Sequence, residues 1–410
     1  MPFTTLTTFS PKRPFLYTPD GWDTAWKAAK AASGSTPASV VAIGDSITAG
    51  QYSSDIMATS WFAQLRATLL SSLSLGGDYY GLLYSAALGL TTATPPMVLS
   101  GTSGTDWTAY SSGFNQAAFS NVTSLSPYLS CTPPYSVVGF DILYIDYSAG
   151  TPGWKYNVDG GADTSVNTTG PGTAAGAIVK KVSVTGLTLG AHTLNIKSVG
   201  VANGCNILGV VAYAKASAGL RFANMGWPGM GLVTGNSSHN SLADTGQFPP
   251  DRLALYQGYQ GTSAAPSSLS GLGFPTQPDL AIIAFGVNDV NNSVSASTFE
   301  DNLRRLVQVV RYGKGDACSV LIVGMYTGDG STPGASVVTS TDYTGAQSPG
   351  IQEFYDAMQA VAREYCCANA SVHSLFGRTP ATNGWITSVS NIHPNNSGYA
   401  KIANFLSQVL

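Results

Sequence analysis

The sequence contains few charged side chains. It has 19 Lys and Arg and 22 Asp and Glu among 410 residues, a charged fraction of 10%, against roughly 25% in an average domain. Recognition of a phosphate backbone requires clustered basic side chains, and no such cluster occurs, so we expect no nucleic-acid partner. A surface solvated by Gly, Ser and Thr instead is typical of secreted, cell-surface or virion proteins.

Long apolar segments are also lacking. The longest apolar runs, such as Leu280–Phe285, have the length of a strand, whereas a membrane-spanning helix needs about 20 apolar residues. The N-terminus has no basic stretch followed by an apolar core, which a signal peptide requires. We therefore expect no membrane span, and a protein that acts outside the cell, either secreted without a visible signal peptide or carried on a virion.

The sequence shows no spacing typical of metal ligands. The five cysteines are Cys131, Cys205, Cys318, Cys366 and Cys367, and they form no CxxC or Cys/His pattern. We predict neither a metal site nor a cofactor. Cys131 and Cys205 lie near the two ends of a β-rich segment, so a disulfide between them is one alternative and two free thiols the other. Asp146, Asp159 and Asp163 could hold a calcium ion, but aspartate is also a common turn residue.

Buried strands alternate with amphipathic helices in the two outer parts of the chain. Ser39–Ile43, Asp279–Phe285 and Cys318–Tyr326 are β-branched, apolar runs typical of parallel strands. Ser60 is the predicted N-cap of one helix, and Ser297 with Glu300 forms the predicted capping box of another. This alternation predicts an α/β fold, a flavodoxin-like parallel sheet with helices on both faces.

The segment between residues 131 and 215 has a different pattern. Short β-rich runs are separated by Gly, Asp and Thr turns and show no helical period, which predicts an all-β, jelly-roll-like insertion. Trp154 and Tyr156 alternate on one face of a predicted strand. If exposed, they would stack on sugar rings, and if buried, they belong to the core.

The predicted organisation therefore has four parts. They are an extended N-terminal arm at residues 1–20, the first part of the α/β domain at 21–130, the β insertion at 131–215 and the second part of the α/β domain at 216–410.

Residues able to perform acyl transfer follow the predicted strands. Ser46 follows the first strand, Gly229 and Asn288 follow two later ones, and His393 precedes the last helix. Ligands of parallel sheets bind at the carboxyl ends of strands. His393 can remove the proton of Ser46 near neutral pH. The N–H groups of Ser46 and Gly229 and the side-chain amide of Asn288 could then stabilise an oxyanion.

Four sequence blocks resemble those of the SGNH hydrolases, also called GDSL esterases and lipases. The blocks are Gly44-Asp45-Ser46-Ile47, Asn224-Met225-Gly226-Trp227-Pro228-Gly229, Gly286-Val287-Asn288-Asp289 and His393-Pro394-Asn395. The resemblance implies that Ser46 is the nucleophile and first oxyanion donor, that Gly229 and Asn288 complete the oxyanion hole, and that His393 is the base. It covers residues 40–410 apart from the insertion and loops.

The sequence departs from the family at one position. The family usually carries an aspartate three residues before its histidine, and this chain has Ser390 there. The main-chain carbonyl of Ser390 could instead accept the Nδ1–H of His393 and fix the tautomer, which is the property lost when a catalytic aspartate becomes asparagine. Since some family members are thought to use a Ser-His dyad, we expect an active but slower enzyme.

The insertion indicates the class of substrate. Its sequence resembles carbohydrate-binding modules attached to SGNH esterases, and the hydroxyl-rich composition resembles phage tail-associated esterases. We expect a carbohydrate esterase, acting on acetyl esters. The alternatives are a lipase or thioesterase of the same fold, and a catalytically weak glycan-binding protein of a virion or cell surface.

Overall fold

A computed structural model describes most of the α/β core and the β insertion. The described residues are 16–73, 80–85, 97–99, 107–110, 117–120, 128–146, 148–171, 178–199, 205–226, 231–233, 278–291, 294–311, 317–324, 351–376, 384–386 and 393–410. The statements below refer to these residues. Among them, no helix has the length and apolar character needed to cross a membrane.

The secondary structure elements are numbered along the chain. The strands are β1 (Leu16–Tyr17), β2 (Ala38–Gly44), β3 (Tyr80–Ser85), β4 (Met97–Leu99), β5 (Trp107–Tyr110), β6 (Ala117–Ser120), β7 (Tyr128–Cys131), β8 (Gly139–Asp146), β9 (Ser148–Val158), β10 (Thr164–Pro171), β11 (Ile178–Val184), β12 (Leu194–Ser198), β13 (Asn206–Tyr213), β14 (Leu220–Gly226), β15 (Leu280–Phe285), β16 (Ser319–Gly324) and β17 (Ala368–Ser371). The helices are α1 (Thr24–Ala32), α2 (Ser46–Ala49), α3 (Trp61–Ser72), α4 (Val287–Asn291), α5 (Ala296–Arg311), α6 (Ile351–Glu364), α7 (Val372–Phe376) and α8 (Asn396–Ser407).

Six strands form the parallel part of the large sheet, in the order β17-β16-β15-β2-β14-β3. Strand β2 lies between β14 and β15, and the chain passes from one side of it to the other. Gly44 at the end of β2 is level with Gly226 of β14 and with Ala284 of β15. Such a change of direction opens a crevice at the carboxyl ends of the strands, which is where Ser46 follows β2.

Helices cover both faces of the parallel strands. Val40 of β2 belongs to a buried cluster with Trp61 of α3 and Tyr399 of α8. Its neighbour Val41 belongs to a second buried cluster with Phe299 of α5, because successive strand residues point to opposite faces. The predicted α/β class with helices on both faces is confirmed.

Of the two predicted helix caps, one is confirmed and the other is wrong. Ser60 caps α3, since its hydroxyl accepts a hydrogen bond from the N–H of Ala63 at 3.3 Å. The predicted cap at Ser297 is wrong, because α5 begins at Ala296. Ser295 occupies the cap position instead, and its hydroxyl accepts from the N–H of Thr298 at 3.1 Å. Two serines two residues apart offer the same side chain to the helix start, so the pattern alone could not choose between them.

The predicted all-β insertion consists of antiparallel strands in two layers. Strand β13 pairs with β3 and extends the large sheet to β8 and β11. A second sheet has the order β10-β9-β12-β7-β4. Trp154 and Ile196 of the second sheet and Ile142 of the first belong to one buried cluster. Strands β4, β5 and β6, which precede residue 131, join these sheets too.

The two cysteines at the ends of the insertion are free thiols. Cys131 ends β7 of the five-stranded sheet, whereas Cys205 directly precedes β13 of the large sheet, and both are fully buried. Burial raises the pKa of both thiols. The alternative of a disulfide between them therefore does not hold.

Candidate active site

Ser46 lies in a tight turn at the end of β2. It is the first residue of the single-turn helix α2, and Asp45 caps that helix by accepting a hydrogen bond from the N–H of Ile47 at 2.8 Å. Gly50 ends the helix in the left-handed conformation, with φ +83°, which glycine adopts at little cost. The chain thereby turns between Gly44 and Gly50 and leaves Ser46 just after the strand, 4% exposed.

The turn packs against β14 through a residue without a side chain. A Cβ atom at Gly226 would lie 2.2 Å from the main-chain nitrogen of Ala49, a distance that real Cβ atoms do not show. Asn224, two residues earlier, donates a hydrogen bond from Nδ2 to the carbonyl oxygen of Thr48 at 2.7 Å and accepts one from the N–H of Gly226 at 2.9 Å. The end of β14 therefore fixes the backbone that carries Ser46.

His393 contacts Ser46 although the two residues are 347 positions apart in the chain. Its Nε2 lies 2.8 Å from the Ser46 Oγ. His393 precedes α8, whose N-cap Asn395 accepts a hydrogen bond from the N–H of Gly398 at 3.1 Å. The N–H of Asn395 in turn donates to the carbonyl oxygen of Trp385 at 3.0 Å. The start of the last helix thus holds the imidazole at the end of β2.

The environment of His393 favours its neutral form. Burial lowers the pKa of the imidazole from 6.5 to about 4, because a low-dielectric surrounding disfavours the charged form. At neutral pH the ring is therefore uncharged. With the proton on Nδ1, Nε2 can accept the hydrogen bond of the Ser46 hydroxyl and then its proton.

Asn288 approaches the same edge of the sheet from β15. Gly286 ends that strand with φ +126°, a conformation available to glycine, and Asn288 then lies in the first turn of α4. Asn288 thus follows β15, the neighbour of β2 on one side, and Gly226 ends β14, its neighbour on the other.

Asp289 joins the two segments that carry the predicted oxyanion donors. Its carboxylate is fully buried and accepts hydrogen bonds from the N–H groups of Leu232 and Val233 at 2.9 and 2.8 Å. Gly229 itself lies outside the described residues, three positions before Leu232. The Asp289 carboxylate therefore fixes the chain just after Gly229 relative to α4, which contains Asn288.

Asp45 is a second buried carboxyl in the site. Burial, with a smaller contribution from the negative charge of Asp289, raises its pKa to about 7. Within the described part of the chain its Oδ2 has no hydrogen-bond partner. The Asp45 carboxyl is therefore protonated in acidic solution. Its Oδ1 stabilises the turn by accepting the hydrogen bond of the Ile47 N–H.

The loop after α2 is attached to the start of α8. The Tyr399 hydroxyl donates to the carbonyl oxygen of Gln51 at 2.6 Å, and Asn396 accepts from the N–H of Ser54 at 3.0 Å. Between these two anchors Tyr52 lies against the imidazole of His393, with ring centroids 4.9 Å apart and planes at 36°. The four sequence blocks do not predict this contact. An aromatic residue in a small-residue loop directly after the nucleophile was the available signal.

Three further residues were predicted to belong to the site, namely Ser390, Trp154 and Tyr156. Ser390 is outside the described residues. Trp154 is fully buried and packs against Tyr144, with ring centroids at 5.2 Å, so it is a core residue and not a substrate contact. Tyr156 is partly buried against the same core. A strand pattern assigns side chains to a face but does not indicate that a second sheet covers it.

Across the described residues, no group of three or more His, Cys, Asp or Glu side chains is arranged to hold an ion. The three aspartates of the insertion have separate partners. Asp146 pairs with Lys180, Asp159 with His192, and Asp163 with Lys197.

Comparisons with known proteins relate the chain to ester hydrolases. A family model described as GDSL-like lipase/acylhydrolase matches residues 224–401. Among solved structures, a peptidoglycan O-acetylesterase is 17% identical with a TM-score of 0.63, over 95% of this chain and 94% of that chain. A family two carbohydrate esterase from Clostridium thermocellum is 14% identical with a TM-score of 0.31, over 77% of this chain and 98% of that chain. A two-domain esterase active on acetylated mannans is 12% identical with a TM-score of 0.38, over 93% of this chain and 51% of that chain. No curated protein matches the chain.

These matches differ in what they establish. The first structure shares the fold, and the other two fall below a TM-score of 0.5 and support no conclusion. The family match begins in β14 and includes Asn288 and His393, and His393 contacts Ser46 in the preceding part of the chain. Residues 224–401 therefore match the GDSL-like lipase/acylhydrolase family, and the chain shares the fold of a peptidoglycan O-acetylesterase.

Proposed function

We propose that the protein removes acetyl groups from a carbohydrate, with Ser46 as nucleophile and His393 as general base. The observation that carries the proposal is the 2.8 Å distance between the Ser46 Oγ and the His393 Nε2, at the sheet edge where α/β folds bind ligands. The neutral imidazole that burial produces is the form that can accept a proton.

The reaction has two steps that share the same groups. The Ser46 Oγ attacks the ester carbonyl carbon while its proton passes to the His393 Nε2. The tetrahedral intermediate collapses as the bond from carbon to the alcohol oxygen breaks and Nε2 returns the proton to that oxygen. Water then attacks the acetyl-Ser46 ester with His393 again as base, which releases acetate and restores the serine.

The proposed oxyanion hole consists of three donors. They are the N–H groups of Ser46 and Gly229 and the side-chain amide of Asn288. The placement of Asn288 after the strand beside β2 supports its role, and the hydrogen bonds of Asp289 support a fixed position for the segment after Gly229. Loss of one such donor commonly costs about 10²–10³ in kcat.

We assign the orientation of His393 to the main-chain carbonyl of Ser390. Such a carbonyl accepts the Nδ1–H and leaves Nε2 as the acceptor toward Ser46, without adding negative charge.

The position of the insertion supports the proposed substrate class. Its strand β13 is three strands from β2 within one continuous sheet, a distance of about 14 Å at the usual strand spacing. We propose that the β insertion at residues 131–215 forms one wall of the substrate groove and guides a glycan chain to Ser46. The related structure with the same fold is named a peptidoglycan O-acetylesterase, and we extend the class of acetylated glycan to this protein. A protein with this substrate would act outside the cell.

The test is acetate release from acetylated xylan and acetylated peptidoglycan by the wild type, Ser46→Ala and His393→Gln. Both variants should lose more than about 10³-fold in kcat, and Asn302→Ala, which removes an asparagine of α5 outside the site, should retain full activity. Wild-type activity that increases from acetate to octanoate esters would instead show a lipase or thioesterase. If the wild type and Ser46→Ala release acetate at the same background rate, the protein is not an esterase and the glycan-binding alternative remains.

A further inference from the structure

Tyr52 lies at the entrance of the active site, on the side of His393. Its ring contacts the imidazole at 4.9 Å between centroids, yet 56% of the residue is exposed, whereas Ser46 is 4% exposed. An aromatic side chain of this size is usually buried further. One part of Tyr52 therefore contacts the imidazole, and most of the rest faces the solvent from which a substrate arrives.

The backbone of Tyr52 is held in an unfavourable conformation. Its φ is +67°, in the left-handed region that is sterically unfavourable for a residue with a Cβ atom. The conformation is maintained by bonds on both sides, because the Gln51 carbonyl accepts from Tyr399 and the Ser54 N–H donates to Asn396. Asn396 also donates to the Ser54 hydroxyl at 2.7 Å. The start of α8 thus fixes His393 and Tyr52 relative to one another.

The chemistry of the reaction determines which part of the substrate can meet Tyr52. His393 Nε2 must return its proton to the alcohol oxygen when the ester bond breaks, so that oxygen has to lie within hydrogen-bond distance of Nε2. The acyl group is attached to Ser46 at that moment, and its oxygen points to the oxyanion donors. A side chain packed beside His393 therefore borders the alcohol and not the acyl group.

We propose that Tyr52 is the binding platform for the alcohol portion of the ester, a sugar ring that packs on the exposed part of its aromatic ring. The assignment rests on the proposed function for the sugar and on the geometry of the Ser46–His393 pair for the alcohol side. Tyrosine suits this position because it offers a large, rigid apolar surface with few rotatable bonds. The subsite discriminates among alcohols and is indifferent to the length of the acyl chain.

The experiment uses three acetate esters that form the same acetyl-Ser46 intermediate. They are ethyl acetate, cyclohexyl acetate and a mono-O-acetylated methyl pyranoside. The full-length wild type is compared with Tyr52→Ala, Tyr52→Leu and Tyr52→Phe at pH 7.5, where His393 is neutral in every variant, after thermal unfolding has shown that each is folded. The matched control is Tyr52→Phe, which keeps the ring.

Tyr52→Ala and Tyr52→Leu should lower kcat/KM for the two ring alcohols about 10-fold, the equivalent of about 1.4 kcal/mol, and change it less than about 2-fold for ethyl acetate. Tyr52→Phe should remain within about 2-fold of the wild type for all three esters. An equal loss for all three in Tyr52→Ala would overturn the proposal, because a residue that only positions His393 affects every ester alike.

Failure of the proposed function gives a different result. If the wild type hydrolyses the alkyl acetates but not the acetylated pyranoside, the carbohydrate assignment is wrong. The ratio of kcat/KM for cyclohexyl acetate to kcat/KM for ethyl acetate, compared between the wild type and the variants, then still decides whether Tyr52 contacts the alcohol. A wild type that hydrolyses none of the three overturns both proposals.

Discussion

Asn224 and Thr48 are joined by a hydrogen bond of 2.7 Å from the Asn224 Nδ2 to the Thr48 carbonyl oxygen. The same side chain accepts from the N–H of Gly226 at 2.9 Å. Asn224 lies in β14 and Thr48 in the turn after β2, so this single side chain bridges two neighbouring strand ends. Because these hydrogen bonds join it to the main chain of Thr48 and Gly226, Asn224 is a positioning residue, which acts through the backbone that carries Ser46.

Replacement of Asn224 by alanine should therefore impair both catalysis and stability. Without the amide the Thr48 carbonyl and the Gly226 N–H lose their partners, which costs about 1–3 kcal/mol of unfolding free energy, and a shift of Ser46 by about 1 Å lowers kcat by about 10²-fold. Urea unfolding and steady-state kinetics on p-nitrophenyl acetate measure the two effects. Asn302→Ala, which also removes a side-chain bond to a carbonyl oxygen, should leave kcat unchanged, and an unchanged kcat in Asn224→Ala would contradict the bridging role.

The acid limit of activity should lie well below that of an exposed histidine. Since burial lowers the pKa of His393 to about 4, the imidazole loses its ability to accept the Ser46 proton only when the pH falls through that value. We expect kcat/KM to be constant from about pH 7 to pH 5 and to decline with a midpoint near 4. The measurement is the pH dependence of kcat/KM for ethyl acetate, with fluorescence to confirm folding at each pH. A midpoint near 6.5, the ordinary value for histidine, would show that the ring is solvated.

Asp45 and His393 should influence stability in opposite directions. Asp45 has a folded pKa near 7 against 3.8 for the free group, so the folded state retains the proton and stability declines as the pH rises from about 4 to 7. His393 has a folded pKa near 4 against 6.5, so the unfolded state binds the proton and stability increases over nearly the same range. Each group changes the free energy of unfolding by about 1.4 kcal/mol per pH unit in this range. In the wild type the two changes have opposite signs and largely cancel.

Single substitutions separate these two contributions. Asp45→Asn retains an oxygen that can accept from the Ile47 N–H. As the pH rises from about 4.5 to about 6.5, the free energy of unfolding of Asp45→Asn should increase by about 2–3 kcal/mol relative to that of the wild type. The free energy of unfolding of His393→Gln should decrease by a similar amount relative to the wild type over the same range. Urea unfolding at three pH values measures both trends. The control is Asp55→Asn, at an exposed aspartate that accepts a comparable bond from the Met57 N–H. Parallel pH profiles for Asp45→Asn and the wild type would be incompatible with the raised pKa.

Local patterns in the sequence predicted the parts of the site that depend on one strand or one helix. The apolar run before Ser46 predicted β2, Ser60 predicted its helix, and the order of the blocks predicted that His393 meets Ser46. Contacts that depend on the register between strands distant in sequence were not predictable. The bridge from Asn224 and the bonds of Asp289 to the segment after Gly229 exist because β14 and β15 flank β2 at the same level. The burial of Trp154 likewise depends on a second sheet, which its own strand does not encode.

The backbone strain at Tyr52 can be measured by comparing two substitutions at that position. Both Tyr52→Ala and Tyr52→Gly remove the ring contact with His393, so their difference in stability reports the backbone alone. At a φ of +67° alanine keeps the steric cost of the left-handed conformation and glycine does not. We therefore expect Tyr52→Gly to be more stable than Tyr52→Ala by about 1 kcal/mol in urea unfolding.

At a position without a positive φ, a glycine variant is normally less stable than the alanine variant. A more stable glycine variant at position 52 would therefore indicate the left-handed backbone. Ala58, in the same loop, is exposed and does not have a positive φ, so Ala58→Gly should be less stable than the wild type by about 0.5–1 kcal/mol, because glycine loses more conformational entropy on folding. Both Tyr52 variants should show the same reduced activity toward ring alcohols, since neither retains the aromatic surface. If Tyr52→Ala is as stable as Tyr52→Gly, the loop relaxes when the ring is removed. The left-handed conformation is then imposed by the ring contact with His393, and not by the bonds to Tyr399 and Asn396.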